Sequence, residues 1–583
     1  MASADGSFRQ SSATGKHKLD PIKDPNEIYK SAKHNIGGAN RHIQTQPADE
    51  TDHGQEHDPM SGGDEDFGPE MPPDDDEDRF FGGGLSKEES QIIDFVDDAD
   101  DGRNVDKIDA GWLRKTALNF ERRISKNAEL RSKFESDPQK FIGSEADLDG
   151  DIKSLSVLAE HPELYPEFVR LGCVHSLIGL LAHENTDIAI DTIEIISELT
   201  DEDVGGDEGE VVMLLNAMLE ADLLALLVSN LGRLNEDDES DRSGVYHALS
   251  VIENISLRVA TATRVSQNPS MLDWLLQRLQ RTESSVTQNR QYVAEILAIL
   301  SQASADCRAH LIKLDVVDVL LQLVAVYRRR DPEKGGEEEE YVENLFEAVT
   351  CLVDEAEGKD KFVEAEGVEL CLLMLKEGKM SKAPALRLLE HASTGSSAFN
   401  VCCKIVESGG LKPTFSLFAK TRDHRLSSHL VVIFASMLRV LPGDSAERIR
   451  TLAKFVEKDY AKVGKLMELR RHYGLRVKLA EQQNAEERKL ASEQDAPDRE
   501  IDWLSRRLDA GLFTLQTIDV VLAWLMVEDK GARPRIAELL AQEDLPLSVI
   551  KATLTEQMEN LDTSQQDGQD LKDMLGTLVG FLR

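Results

Sequence analysis

Aromatic residues are few in this chain, 5% of the sequence with only four tryptophans. Much of the remaining apolar content is Leu, Ile, Val and Ala, as helical arrays prefer. Basic residues are short as well: 67 Lys and Arg stand against 108 Asp and Glu, a net charge of -41. That balance disfavours broad phosphate-backbone binding, which needs clustered cations. It suits a basic partner, or plain solubility. Cysteine is scarce, and Cys173, Cys307, Cys351, Cys371, Cys402 and Cys403 show no CxxC or Cys/His ligand spacing. Most lie in apolar helical context, where cysteine acts as a small hydrophobe. They read as reduced core thiols of a cytosolic or nuclear protein. No run of 18 or more apolar residues offers a membrane span, and the start, MASADGSFRQSS, lacks the apolar core of a signal peptide.

Catalytic motifs are missing too. There is no Walker loop, HExxH, GxSxG, or GxGxxG followed by a ribose-binding acid. His161, His175, His247 and His391 have no paired nucleophile in the sequence. Asp147-Leu148-Asp149-Gly150-Asp151 opens like a calcium loop, but its glycine comes two positions early and Leu158 stands where the twelfth-position Glu belongs. It reads as a turn. Neither an enzyme nor a cofactor is expected.

What the chain has instead is a repeating unit. In Gly172 to Thr200, Leu177, Leu180 and Leu181 recur at helical spacing, and so do Ile188, Ile195, Ile196 and Leu199. Each helix is too short to stand alone in water, so each needs a neighbour for its apolar face. The unit recurs when Gly172, Asp315, Gly367 and Gly410 are aligned as helix starts. Five residues on stand Leu177, Leu320, Leu372 and Phe415; eight on stand Leu180, Leu323, Leu375 and Phe418. A period of about 40–47 residues is armadillo or HEAT spacing. Two weaker copies lie around Asp222 to Ser256 and Ser270 to Ser301, with polar insertions at Asp201 to Glu210, Asn235 to Asp241 and Arg328 to Glu340.

The expected fold is all-α, an armadillo/HEAT-like right-handed superhelical solenoid with helical caps at both ends. Residues 1–105 are rich in Gly, Asp, Pro and Ser with little periodicity, and read as a disordered acidic tail. Lys16, Lys18 and Lys23 there form at most a thin localisation signal or a solvated stretch. Residues 106–165 form the N-terminal cap, 166–442 the repeats, and 443–583 a C-terminal helical region and cap. Glu481 to Asp498 reads as a polar loop or frayed helix.

Two charge patterns bear on function. Asp187, Asp191, Glu194 and Glu198 follow steps of four, three and four, placing them on one helix face. With closing helices aligned on Leu199, Ile255, Leu300 and Leu352, the slot five residues earlier holds Glu194, Ser250, Glu295 and Glu347. These acids form either a discontinuous ladder on one surface or an ordinary solvated face. Arg387 occupies the slot in the next copy and would end the ladder. Arg448, Arg450, Lys454, Lys458, Lys462, Lys465, Arg470, Arg471, Arg476 and Lys478 make residues 448–478 basic inside an acidic protein. That region could hold RNA, a partner's acid or the chain's own acids, or be a solvated helix face.

Four stretches carry a family resemblance: LNFERRISKNAELRSKF (Leu118 to Phe134), LLAHENTDIAIDTIEIISELTD (Leu180 to Asp201), LVSNLGRLNE (Leu227 to Glu236) and RRLDAGLFTLQ (Arg506 to Gln516). The first and last lie outside any generic armadillo pattern. From about residue 108 onward the chain resembles the beta-catenin-like protein 1 family, nuclear armadillo-repeat proteins associated with the spliceosome. The resemblance implies a non-enzymatic member of the NineTeen-type pre-mRNA splicing complex. It implies binding of basic, localisation-type segments of splicing partners, notably the Myb-related cell-division-cycle-five-like factor. An animal member also binds activation-induced deaminase. Animal members carry a basic nuclear-localisation cluster near the N-terminus. Lys16-His17-Lys18 is thin by comparison, and Arg328-Arg329-Arg330 lies in a repeat loop, so import with a partner is an alternative to autonomous import into the nucleus, and some protein could remain in the cytoplasm.

Importin-type armadillo proteins grip basic peptides with repeated Trp and Asn. Here the slot before the last anchor holds Glu198, Asn254, Ile299 and Cys351, so only Asn254 fits. The expected partner-binding residues are therefore Asp187, Asp191, Glu194, Glu198, Asn254, Glu295 and Glu347, acting chiefly through charge. The alternatives are a karyopherin-like import adaptor and an RNA-binding accessory factor using residues 448–478. No direct nucleic-acid or membrane contact is expected, and a homodimer is an open alternative.

Overall fold

The computed structural model describes residues 107–490, 496–564 and 566–582. The tail expected over residues 1–105, with its acidic run and its lysines, lies outside those residues. Every regular element among the described residues is a helix.

Helix α1 (Ala110–Lys133) starts at Asp109, whose carboxylate accepts from the backbone N–H groups of Gly111 and Trp112. A helix start otherwise leaves those donors unsatisfied. Helix α2 (Ile142–Ser154) packs against it. The segment Asp147 to Asp151 lies inside α2, and the turn expected there is not formed. Leu148 and Ile152 are fully buried one helical turn apart, and their burial outweighs the roughly 1 kcal/mol that Gly150 costs a helix.

Helix triplets follow, each ending in a closing helix: α3 (Thr186–Leu199), α4 (Glu239–Ser256), α5 (Gln288–Ala303), α6 (Glu337–Leu352), α7 (Lys382–Ser393) and α8 (His424–Val440). The seam residues Leu177, Leu320, Leu372 and Phe415 are all buried. The first two helices of most triplets meet at a left-handed residue: Gly172, Asp222, Asp315, Glu366 and Gly409 have φ of 77°, 61°, 54°, 57° and 74°. One of the aligned helix starts thus shifts back by one, from Gly367 to Glu366, while Gly410 caps its helix one residue after the left-handed Gly409. The inserted loops are shorter than the sequence suggested, because Asp207 and Asp238 already cap the helices that follow.

The closing helices form a ridge. Each of α2 through α8 packs on the next. Helix α9 (Ala446–Leu490) then leaves the ridge. It is broken at Glu457 to Tyr460, where Lys458, Asp459 and Tyr460 take φ of 59°, 55° and 59°. It runs helical to Leu490, into the stretch expected as a polar loop or frayed helix. Helix α10 (Leu512–Glu528) returns to the ridge against α8, where the Ser428 and Thr514 hydroxyls are 2.9 Å apart. Gly511 makes the return feasible: its φ is 96°, and an added Cβ would lie 2.3 Å from the Tyr473 ring. Helices α11 (Ser548–Glu559) and α12 (Gln566–Phe581) pack on α10 and close this end.

Candidate partner-binding face

Helix α3 begins at Asn185, whose side chain accepts from the Asp187 N–H at 3.0 Å. Asp187, in the first turn, is exposed and well placed beside the positive end of the helix dipole. Ile188, Ile193, Ile195, Ile196 and Leu199 are buried. Asp191, Glu194 and Glu198 are half-buried on the other side. The face expected from the sequence is therefore present on α3.

Asp191 has company that the repeat alignment did not suggest. On α2, Asp149 takes Lys153 at 2.6 Å, and the same Lys153 ammonium lies 3.5 Å from Asp191. Burial and a hydrogen bond shared with Asp149 push the Asp191 carboxyl up to about 7. Burial opposes ionisation of Asp149 as well, but its hydrogen bonds with Asp191 and Lys153 outweigh that and hold its carboxyl low. Two carboxyls thus share one lysine near neutral pH. The signal was in the sequence, in the acid-rich stretch that was read as a turn.

Further along the ridge, the other expected residues are committed to internal contacts. Asn254 is buried, and its amide donates to the Ser197 carbonyl at 3.2 Å and to the Thr200 hydroxyl at 3.3 Å. It ties α4 to α3 and is not open to a peptide, which corrects its assignment as a binding residue. Glu295 is buried too, with Gln291 donating to it at 3.1 Å. Glu347 receives two hydrogen bonds from Arg387, at 2.7 and 3.2 Å. Arg387, in the next copy's slot, thus pairs with Glu347.

The same pattern recurs along the ridge. Asp354 pairs with His391 at 3.0 Å, and Glu390 pairs with His429. Burial alone would lower the His391 pKa, but the Asp354 hydrogen bond and charge raise it overall. Glu347, Asp354 and Glu390 are thus matched by bases one unit on, while Asp191 of α3 faces Lys153 of α2.

The basic region 448–478 is divided: Arg448, Lys462 and Arg470 are buried, whereas Arg450, Lys458, Arg471, Arg476 and Lys478 are exposed. Arg448 is 3% exposed and binds Glu528 with its Nε at 3.1 and 3.0 Å from the two carboxylate oxygens. Arg470 binds the fully buried Asp519 at 2.6 and 3.1 Å. Lys454 and Lys462 both reach Glu457. Of the readings open for this region, the chain's own acids account for these four cations. Of the six cysteines, Cys173, Cys307, Cys371 and Cys402 are buried. Among the described residues no cluster of His, Cys, Asp and Glu could hold a metal ion.

Comparison with known proteins agrees with this architecture. A family model described as catenin-beta-like, Arm-motif containing nuclear, matches residues 90–555. The Schizosaccharomyces pombe beta-catenin-like protein 1 homolog is 35% identical over 500 residues, covering 86% of this chain and 87% of its own. The Homo sapiens beta-catenin-like protein 1 is 35% identical over 493 residues, covering 81% and 86%. A designed armadillo repeat protein matches at TM-score 0.34 and 15% identity, over 45% of this chain and 99% of its own. The family model over residues 90–555 and the two relatives at 35% identity make the chain a member of the catenin-beta-like family of nuclear Arm-motif proteins.

Proposed function

We propose that this chain is a non-enzymatic scaffold of pre-mRNA splicing in the nucleus, docking Lys/Arg-rich segments of splicing partners on the acidic face that α3 forms with α2. The observation that carries the reading is the cluster of Asp149, Asp187, Asp191 and Glu194, in which Lys153 serves two carboxyls at once. A basic side chain arriving there supplies the charge that the Asp149–Asp191 pair lacks. Exposed pairs are worth little singly, but several together set on-rate and specificity. The Myb-related cell-division-cycle-five-like factor and other NineTeen-type complex proteins are the expected partners, through their basic segments.

The test is capture of a fluorescent Lys/Arg-rich peptide by the full chain, by anisotropy at low and physiological salt. Reversing Asp187, Asp191 and Glu194 to lysine should weaken binding at least tenfold, and added salt should weaken the parent. Unchanged affinity in the reversed protein at low salt would sink the docking mechanism. Affinity purification from nuclear extract addresses the setting: splicing proteins support it, and nucleoporins without splicing proteins would replace it with an import role.

A further inference from the structure

The outer face of α9 beyond its break differs from the rest of that helix. Tyr473, Val477, Ala480 and Asn484 are buried on the inner side. On the opposite side Arg471, Leu475, Lys478, Leu479 and Gln482 recur at steps of three and four, a single stripe. Leu475 is 59% and Leu479 60% exposed. Both stand bare on a helix whose buried side already supplies its packing. Leucines at i and i+4, bracketed by cations, are the anchor pattern of a helix-to-helix contact.

The cations of this stripe, Arg471 and Lys478, are exposed. Earlier in α9, Arg448, Lys454, Lys462 and Arg470 are matched by internal acids. Lys478 has no such partner among the described residues, and Arg471 only approaches Glu543 at 3.8 Å while remaining 57% exposed. Among the described residues Glu543 is the one acid paired with these cations. The basic region therefore holds cations neutralised within the fold and cations that are presented, Lys478 beside Leu475 and Leu479 among the latter.

From this placement we infer that the outer face of α9 is a second docking surface, for an acidic amphipathic helix of a partner protein. Its leucines would lie between those of the partner, and its Arg471 and Lys478 would meet glutamates or aspartates flanking them. The surface opposes the α3 face in sign, so the two would select different partners. RNA is the less fitting occupant. It would use the cations but leave Leu475 and Leu479 without a role, and no aromatic ring stands in the stripe for a base to stack on.

The probe is a labelled helical peptide with leucines at i, i+3, i+4 and i+7 and glutamates elsewhere, titrated with the full chain by anisotropy. Binding should be saturable and weaken at least tenfold in Leu475→Glu/Leu479→Glu. It should weaken at least threefold in Lys478→Glu. The substituted residues are exposed, so circular dichroism melts should match the parent. Absence of peptide binding would overturn the inference, as would binding indifferent to these variants. So would capture of a uridine 15-mer that is lost in Lys478→Glu and kept in the leucine variant. A parent dimer by sedimentation that Leu475→Glu/Leu479→Glu dissolves would assign the face to a second copy instead.

Discussion

Replacing Arg448 by methionine should loosen the junction between the ridge and the C-terminal helices without disturbing the N-terminal repeats. Arg448 does three things at once. Its Nη1 donates to the Leu441 carbonyl at 2.8 Å and to that of Leu438, satisfying acceptors that the end of α8 leaves open. Its Nε and Nη2 grip Glu528 at the end of α10, where the helix dipole disfavours an acid. Its guanidinium sits 4.6 Å over the Trp524 ring. Methionine keeps much of the apolar stem but leaves a carboxylate and two carbonyls without their donor. Breaking a buried pair from one side costs about 3–5 kcal/mol. In a stack of units the loss stays near the damaged interface. Native-state hydrogen exchange should therefore show α8 and α10 losing roughly 100- to 4,000-fold protection, at about 1.4 kcal/mol per factor of ten, while α3 to α5 keep theirs. Arg448→Lys retains charge without the planar fork and should fall between. Protection in α8 and α10 within a factor of two of the parent would show that Arg448 does not hold this junction.

Three further outcomes are expected. Leu180→Asp puts a charge where an apolar side chain is buried; burial there contributes about 1.5–3 kcal/mol, so the melting curve should drop clearly, and an unshifted one would show the repeat register to be wrong. Asn254→Ala should cost about 1–3 kcal/mol in urea titration by stranding the groups it joins, yet leave basic-peptide affinity unchanged; a loss of affinity at full folding would return it to the binding face. Asp191→Asn tests the shared lysine through pH. The folded carboxyl holds its proton to about 7 and the unfolded one releases it near 3.8, so parental stability should fall as pH rises through that window. Above pH 7 the variant should be more stable than the parent by about 1–2 kcal/mol after allowance for solvent screening; equal urea midpoints at pH 5 and pH 8, relative to the parent, would refute this.

The repeat was legible because its signal is periodic. Leu177 and Leu320 stand at one offset from their turns, and both are fully buried. The charge patterns were harder to read, for a geometric reason. A lone amphipathic helix has an apolar stripe and a wet remainder. A closing helix here has one side toward its own unit and two toward neighbouring closing helices. Residues just off the apolar stripe, such as Asn254 and Glu295, therefore meet another helix rather than water. The basic region misled for a different reason: Glu528 and Asp519, which take up Arg448 and Arg470, lie 80 and 49 residues further along. No helical spacing can reveal a partner at that distance.

Net charge consequently says little about which surface is acidic. From α6 onward several ridge acids meet a base one unit on: Glu347 pairs with Arg387, Asp354 with His391 and Glu390 with His429. At its other end Lys153 is divided between Asp149 and Asp191, with Asp187 exposed beside them. Cations gather beyond the break of α9, around two bare leucines. An even spread of the acidic excess would keep the chain soluble but give no partner a preferred address. Internal pairing removes most of the ridge from contention and leaves two faces of opposite sign on different helices. Solenoids grow by adding similar units, so a unique site requires the units to differ. In this chain they differ less in their leucine seams than in which ridge charges find a neighbour.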